Sequence, residues 1–441
     1  MSTTELVELR LGPIAHGGHT VARHEGRVVF VRHGIPGELV RARLTDAGEQ
    51  AKFWRADVAE VLEPSAERQP HFWAPADALL SEQPVGGAEF GHIALDFQRQ
   101  LKARVAVEQL TRLGQIDPVR LEHLVAAQPA PGDVSGLGWR TRMSYAVDAS
   151  GALAMSAYRS NSLTAITRMP LAHPAIEASG IYAVKYPGIS RVEVAVSSLD
   201  DRSVLVLLIE EQPGAAKAVA RQLPAELNVA ALTQQRGAAA DGRGSLSVLQ
   251  GRSWLTEEVL GQEYRITGEG FWQVHRAAAT VLSERVLELL DPQPGQAVAD
   301  LYAGAGLFSA HLAAAVGPSG ALYSVEGAPG THADAKKNLR HFPQAQVIRG
   351  RVERVLHQVV EERELDGVVL DPPRAGVDKK VAAELAASGA RRLCYVSCDP
   401  ASFARDTARL SARGYELANV EVHDLYPQTH HMELVGLFQC Q

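Results

Sequence analysis

The chain has 441 residues, 46% hydrophobic and 22% charged, with 44 Lys and Arg against 51 Asp and Glu and a net charge of -7. That balance excludes a disordered or collagen-like chain, and the length exceeds what one core usually supports, so two or three domains are expected. Three cysteines are too few for a disulfide scaffold, the start Met1-Ser2-Thr3-Thr4-Glu5 lacks a secretory pattern, no apolar run approaches membrane-spanning length, and the acidic total excludes nucleic-acid binding by global charge alone.

Residues 6–11, 27–31, 38–44 and 55–61 are short apolar runs separated by Gly17-Gly18, Pro36-Gly37 and Asp46-Ala47-Gly48. Strands of this length and spacing predict a small β-barrel. A looser stretch over 64–84 leads into 97–113, where Leu101, Val105 and Leu110 recur at helical spacing among charged residues. From 134 to about 263 short strands return, as at 192–196 and 204–209, and the Ala-rich run leading to 242–244 reads as loop. Arg140, Arg142, Arg159 and Arg168 concentrate positive charge here, as a phosphate backbone requires locally even when the whole chain is acidic.

From Gln296 onward the rhythm is strand, loop and helix, with apolar runs at 297–301, 321–325, 346–348, 367–370 and 393–396 and helical stretches at 307–316 and 381–387. This alternation predicts an α/β domain with a doubly wound, largely parallel sheet. Such sheets bind ligands beyond the carboxyl ends of their strands. Asp300, Asp371 and Cys398 all fall at those ends.

Asp300-Leu301-Tyr302-Ala303-Gly304-Ala305-Gly306 reads as a nucleotide-type loop, in which the glycines permit a tight turn and the following helix offers free amides. Glu326, at the end of the next strand, is either an acceptor for two ribose hydroxyls or a solvated, capping carboxylate. Ser309 and Ala310 occupy the region where a dinucleotide site needs its third glycine, which disfavours nicotinamide and favours S-adenosylmethionine. In Asp371-Pro372-Pro373-Arg374 two prolines fix the chain as it leaves the sheet. A strand-end Asp-Pro-Pro also resembles the motif of amino-methyltransferases, so it does not by itself choose a target atom, and Arg374 either meets a phosphate or pairs with an acid.

Cys398, in Ser397-Cys398-Asp399-Pro400, follows a buried strand that Pro400 should end. A thiol there is a covalent nucleophile or a core cysteine, whereas Cys394, inside the apolar run, reads as core. Pro427-Gln428-Thr429-His430-His431-Met432-Glu433 returns a carboxylate, Glu433, which is a general base or a salt-bridged strand residue. His430 and His431 have neither a Glu-x-x-His spacing nor cysteine partners, so they read as polar loop residues rather than zinc ligands.

Phe271-Trp272-Gln273, Asp300 to Gly306, Asp371 to Arg374, Ser397 to Pro400 and Thr429 to Glu433, in this order, resemble the RNA uracil-5-methyltransferase family, whose members make 5-methyluridine in transfer or ribosomal RNA. The resemblance runs along nearly the whole chain. It implies a Rossmann-like class I methyltransferase domain over 264–441, preceded by an OB-like barrel over 1–63 and by a linker, a helix and a β-rich RNA-binding domain over 64–263. The pattern Gly12-Pro13-Ile14-Ala15-His16-Gly17-Gly18, with Pro36-Gly37-Glu38, is similar to the TRAM domain of this family.

By resemblance, Cys398 adds to carbon 6 of uracil, carbon 5 is methylated from S-adenosylmethionine, and Glu433 then accepts the carbon-5 proton so that the thiolate can leave. Gln273, Tyr302, Glu326 and Asp371 match the cofactor-contacting positions. Leu307 and Ala303 depart from the Asn and Cys that members often carry. Many members hold an iron-sulfur cluster, but Val85-Gly86-Gly87-Ala88 and Met169 stand where its cysteines would be, so no cluster is expected and packing must hold that region. The implied partner is tRNA or 23S rRNA, with no membrane, and a cytoplasmic monomer is expected. Cytosine-5 methylation, which shares the thiol addition, and a catalytically weak RNA-binding or folding protein are the alternatives.

Overall fold

The structure is a computed structural model and describes residues 6–48, 50–158, 160–200, 202–233 and 245–440. Arg159 and the Ala-rich run with 242–244 lie outside the described residues.

The C-terminal sheet is built from β1 (Ala297–Leu301), β2 (Ala321–Glu326), β3 (Ala345–Arg349), β4 (Gly367–Leu370), β5 (Arg392–Ser397), β6 (Tyr415–Asp424) and β7 (Glu433–Cys440). Their order is β3-β2-β1-β4-β5-β7-β6, and a short strand, Gln128–Pro129, adds to the outer edge of β6. β1 to β5 run parallel, while β7 is antiparallel to both β5 and β6. Every residue of β1 and β4 is buried, as a parallel sheet covered on both faces requires.

Alternate residues serve opposite cores. Ala297, Ala299, Leu301, Val368, Leu370, Leu393 and Tyr395 pack with the helices Leu95–Arg112, Val352–Glu362, Lys379–Ala387 and Pro400–Ser411. Val298, Val369, Cys394 and Val396 pack with Ala278–Leu290 and Leu307–Val316 on the other face. Strand order reverses at β1 and β4, which sets Tyr302 and Asp371 side by side at a topological switch point.

The N-terminal six-stranded sheet contains Leu6–Arg10, Ile14–Ala15, His19–His24, Arg27–Arg32, Leu39–Asp46 and Phe53–Glu63. It curls around Val7, Leu9, Val29, Val31, Val40 and Val58. Gly12 N–H donates to the Val21 carbonyl at 2.8 Å and Val21 N–H to the Pro13 carbonyl at 3.0 Å, which folds the chain after the first strand over the opposite edge.

The central sheet has seven strands in the order Leu163–Ala165, Leu153–Ser156, Arg142–Val147, Ile189–Val196, Val204–Glu210, Asn228–Thr233 and Ser245–Gln250. Its core takes in Trp73, Val85, Ala88, Trp139 and Met169, so the segments around 85–88 and 169 are joined by apolar packing. Lys102, on the helix Leu95–Arg112, has a fully buried side chain whose Nζ donates to Asp424 at 2.5 Å and to the Tyr426 carbonyl at 3.0 Å. That pair ties the linker helix to the end of β6.

Candidate active site

β1 ends in a turn that only particular backbone conformations allow: Tyr302 has φ 65°, Gly304 φ 57° and Gly306 φ 88°, all left-handed. Gly306 caps the helix Leu307–Val316 without a side-chain bond, and within the first turn the Ser309 amide turns to the Asp300 carboxylate. Asp300 is fully buried and accepts from the Ser309 hydroxyl at 2.6 Å, which locks the helix to β1. Burial raises the Asp300 carboxyl to about 7. Glu326, at the end of β2, accepts from Gly304 N–H at 2.8 Å and from Ala328 N–H, so backbone amides orient both of its oxygens.

Asp371 leaves β4, Cys398 leaves β5 and Glu433 opens β7. Because β7 runs antiparallel to β5, its beginning lies at the same edge of the sheet as the ends of the others. Burial, with the nearby Asp300 charge, raises the Asp371 carboxyl to about 7. Cys398 is half-buried, and burial followed by the Glu433 charge pushes its thiol up to about 11, while Arg374 works in the opposite direction. Glu433 is only 3% exposed, and burial and Asp371 push its carboxyl well above the usual range, with Tyr426 and Arg374 opposing.

One cavity of about 790 Å³ is lined by all six residues singled out from the sequence: Gln273, Tyr302, Glu326, Asp371, Cys398 and Glu433. Its walls also include Phe271, Trp272, Phe308, Arg374, Tyr426 and His431. The size suits a small organic ligand together with a base. The lining fits an adenosine with a cationic reacting group, since Glu326 is preset for hydroxyls and aromatic rings offer stacking faces. A cation bound nearby would oppose the burial that favours the protonated forms of Asp371 and Glu433. Leu307 and Ala303, the two departures, line the same cavity and are buried.

A smaller cavity of about 90 Å³ reaches Cys398 from the barrel side, between Ile14, His16, Gly17, Gly18, Phe90 and Lys102. Gly18 has φ 78°, and a Cβ there would stand 2.6 Å from that of His430, so only glycine lets the barrel loop sit this close. His16 Nε2 lies 3.1 Å from Asp399, whose carboxylate also caps the helix Pro400–Ser411 by accepting from Ser402 N–H at 2.7 Å. Against the burial that would raise it, these partners hold the Asp399 carboxyl down to about 2.

Three details differ from the sequence reading or go beyond it. Arg140 borders the large cavity and Arg168 is exposed, but Arg142 is half-buried beside Glu257 at 3.7 Å and donates to the Gly270 carbonyl at 3.2 Å, so it belongs to a local network rather than a basic patch. Arg374 faces His431 at 3.5 Å and borders the thiol rather than pairing with an acid. Tyr426 was not foreseen: its hydroxyl donates to Glu433 at 3.1 Å, a contact that no periodicity announces. His430 lies 3.7 Å from Glu89, and among the described residues no group of three or more His, Cys, Asp or Glu is placed to hold a metal ion.

A family model described as tRNA (uracil-5-)-methyltransferase matches residues 331–440. Over 441 residues the chain is 37% identical to an uncharacterized RNA methyltransferase of Streptomyces avermitilis, covering 99% of this chain and 98% of that protein. A second such protein, from Streptomyces coelicolor, is 38% identical over 442 residues, covering 99% and 93% of the two chains. The fold is also similar to that of a Pyrococcus abyssi tRNA (uracil-54, C5)-methyltransferase solved in complex with S-adenosyl-L-homocysteine, with a TM-score of 0.71 at 17% identity, covering 99% of this chain and all of that one.

Proposed function

The chain belongs to the RNA uracil-5-methyltransferase family, and from that premise we propose that it methylates carbon 5 of a uridine in structured RNA, transfer or 23S ribosomal, through a covalent bond to Cys398. The observation that carries this reading is the meeting of Cys398 and Glu433 in one cavity with Gln273, Tyr302, Glu326 and Asp371. S-adenosylmethionine, when bound, supplies an electrophilic methyl carbon. Glu326, Gln273, Tyr302 and Asp371 would hold it, with Glu326 placed to accept from ribose hydroxyls.

Carbon 5 of uracil is a weak nucleophile. Addition of the Cys398 thiolate to carbon 6 forms an S–C bond and moves the electron pair of the ring double bond toward carbon 5 and the neighbouring carbonyl, which activates carbon 5. Once carbon 5 carries its methyl group, Glu433 takes the remaining proton, the double bond re-forms, and the S–C bond breaks with its electrons returning to sulfur. Arg374 offsets the negative charge on that sulfur.

We assign residues 1–63 to an RNA-binding TRAM barrel, 64–263 to the linker helix and a central RNA-binding domain, and 264–441 to the methyltransferase domain. The barrel presents aromatic rings with arginines over them, Arg55 over Phe53 at 4.8 Å and Phe30 edge-on to Phe53 at 5.3 Å, surfaces on which unpaired bases stack. Among the described residues no helix is long and apolar enough to cross a membrane, and we take the working enzyme to be a cytoplasmic monomer without an iron-sulfur cluster.

RNA containing 5-fluorouridine tests the reading, because fluorine cannot leave as a proton and the adduct is trapped. Wild-type protein should form it, Cys398→Ala should not, and cytidine-only RNA should not react. An adduct that survives Cys398→Ala would move the nucleophile elsewhere.

A further inference from the structure

We propose that Tyr426 is a positioning residue for proton removal: its hydroxyl holds one oxygen of Glu433 and leaves the other directed at the substrate. This inference rests on the Cys398 and Glu433 assignments above. Tyr426 donates to Glu433 Oε2 at 3.1 Å, and among the described residues it is the donor that this buried carboxylate has. With Oε2 engaged, Oε1 remains to accept the carbon-5 proton. The C–H bond breaks, an O–H bond forms at Oε1, the carbon 5 to carbon 6 double bond re-forms, and Cys398 departs as thiolate.

The phenol is itself held in place. Its ring stands edge-on to Trp139 at 6.2 Å and to His431 at 5.9 Å. Its carbonyl accepts from Lys102 Nζ at 3.0 Å and from the Thr429 hydroxyl at 2.7 Å, and Lys102 is in turn fixed by Asp424. A residue anchored at ring and backbone gives its hydroxyl little freedom to swing away. Phenylalanine would fill the same space and pack on the same rings without the donor.

The electrostatics show why a donor matters here. Groups around Glu433 come from every neighbouring segment: Asp371 and Arg374 after β4, Cys398 after β5, Tyr426 and His431 in the loop before β7, and His423 opposite it on β6. Burial and the Asp371 charge favour the protonated carboxylic acid, which cannot act as a base. Tyr426 and Arg374 favour the carboxylate. Tyr426 keeps its own proton, because burial and the Glu433 charge raise the phenol well above its ordinary range.

The test uses Tyr426→Phe in the full chain with S-adenosylmethionine and a uridine-containing tRNA transcript, following methyl transfer and the denaturant-stable protein–RNA adduct in a single turnover across pH. Cofactor affinity and methyl transfer should persist. Release should slow by roughly tenfold or more, so that the methylated adduct accumulates, and should recover as pH rises, because loss of the donor raises the acidity range of Glu433. In a Glu433→Gln background the Tyr426→Phe change should slow release no further.

Wild-type release and pH profile in Tyr426→Phe would overturn the inference, and so would parallel loss of cofactor binding and adduct formation with an unshifted profile, the mark of a merely structural role. Additional slowing in the Glu433→Gln background would overturn it too. Absence of a Cys398-dependent adduct with 5-fluorouridine RNA in the wild type would instead remove the underlying mechanism, and the inference with it.

Discussion

Lys102→Met isolates the buried ion pair that joins the linker helix to the catalytic sheet. Both side chains of the Lys102–Asp424 pair have 0% exposure, with Nζ 2.5 Å from Oδ1. Methionine keeps most of the aliphatic stem, so the change removes charge rather than packing. Removing one partner of a buried pair costs about 3–5 kcal/mol, chiefly because the other charge is left unmatched. Arg99 Nε remains 3.3 Å from Asp424, which moves the expected loss to the low end, while the lost bond to the Tyr426 carbonyl adds about 1 kcal/mol. The expected destabilisation is therefore about 3–4 kcal/mol. Removing both charges in Lys102→Met/Asp424→Leu should restore most of it, to within about 1 kcal/mol of wild type, since well-packed apolar replacements of buried pairs are often neutral. Urea unfolding followed by tryptophan fluorescence and circular dichroism measures both. A single variant that loses less than 1 kcal/mol, or a double variant as unstable as the single, would refute the assignment of the cost to an unmatched buried carboxylate.

Glu326→Ala should weaken binding of S-adenosylhomocysteine by roughly ten- to a hundredfold, the value of charge-assisted hydrogen bonds, with RNA affinity little changed; calorimetry showing an unchanged Kd would remove Glu326 from the site. Asp371 is raised from 3.8 to about 7 in the folded protein, so between pH 4 and 7 the fold holds a proton that the unfolded chain releases, and stability falls as pH rises through that window. Asp371→Asn should therefore raise the Tm at pH 8 and leave it nearly unchanged at pH 4, and an equal change at both would contradict the burial argument. The purified protein should be colourless and active without iron, because Val85, Ala88 and Met169 supply no thiolate; stoichiometric iron with visible charge-transfer absorption in anaerobic preparations would refute this.

Much of the sheet could be read from apolar runs because fully buried parallel strands carry little else, and the stretches read as strand at 367–370 and as helix at 307–316 coincide with the elements found there. Amphipathic segments were harder. β6, with its alternating burial, and the helix Pro400–Ser411, whose first-turn proline lacks an N–H that no helix bond would use anyway, gave no run to follow. β5 stops at Ser397, before Pro400, which instead starts that helix. Lys102 looks like a solvated face residue from local spacing, and its partner Asp424 is 322 positions away, beyond the reach of any periodicity. For the same reason Arg142 counted toward a basic patch until Glu257 was seen beside it. Motif residues brought Cys398, Asp371 and Glu433 into view, whereas Tyr426 became visible only through its bond to Glu433.

β7 enters the sheet between β5 and β6, although both precede it in the chain. Until residues 433–440 have been synthesised, the edges of β5 and β6 that pair with them lack that partner strand. A nascent chain stalled short of that point already carries the thiol but not the carboxylate. Competence for turnover therefore arrives in one late insertion, and stalled chains of increasing length should release methylated transcript only once that strand has seated.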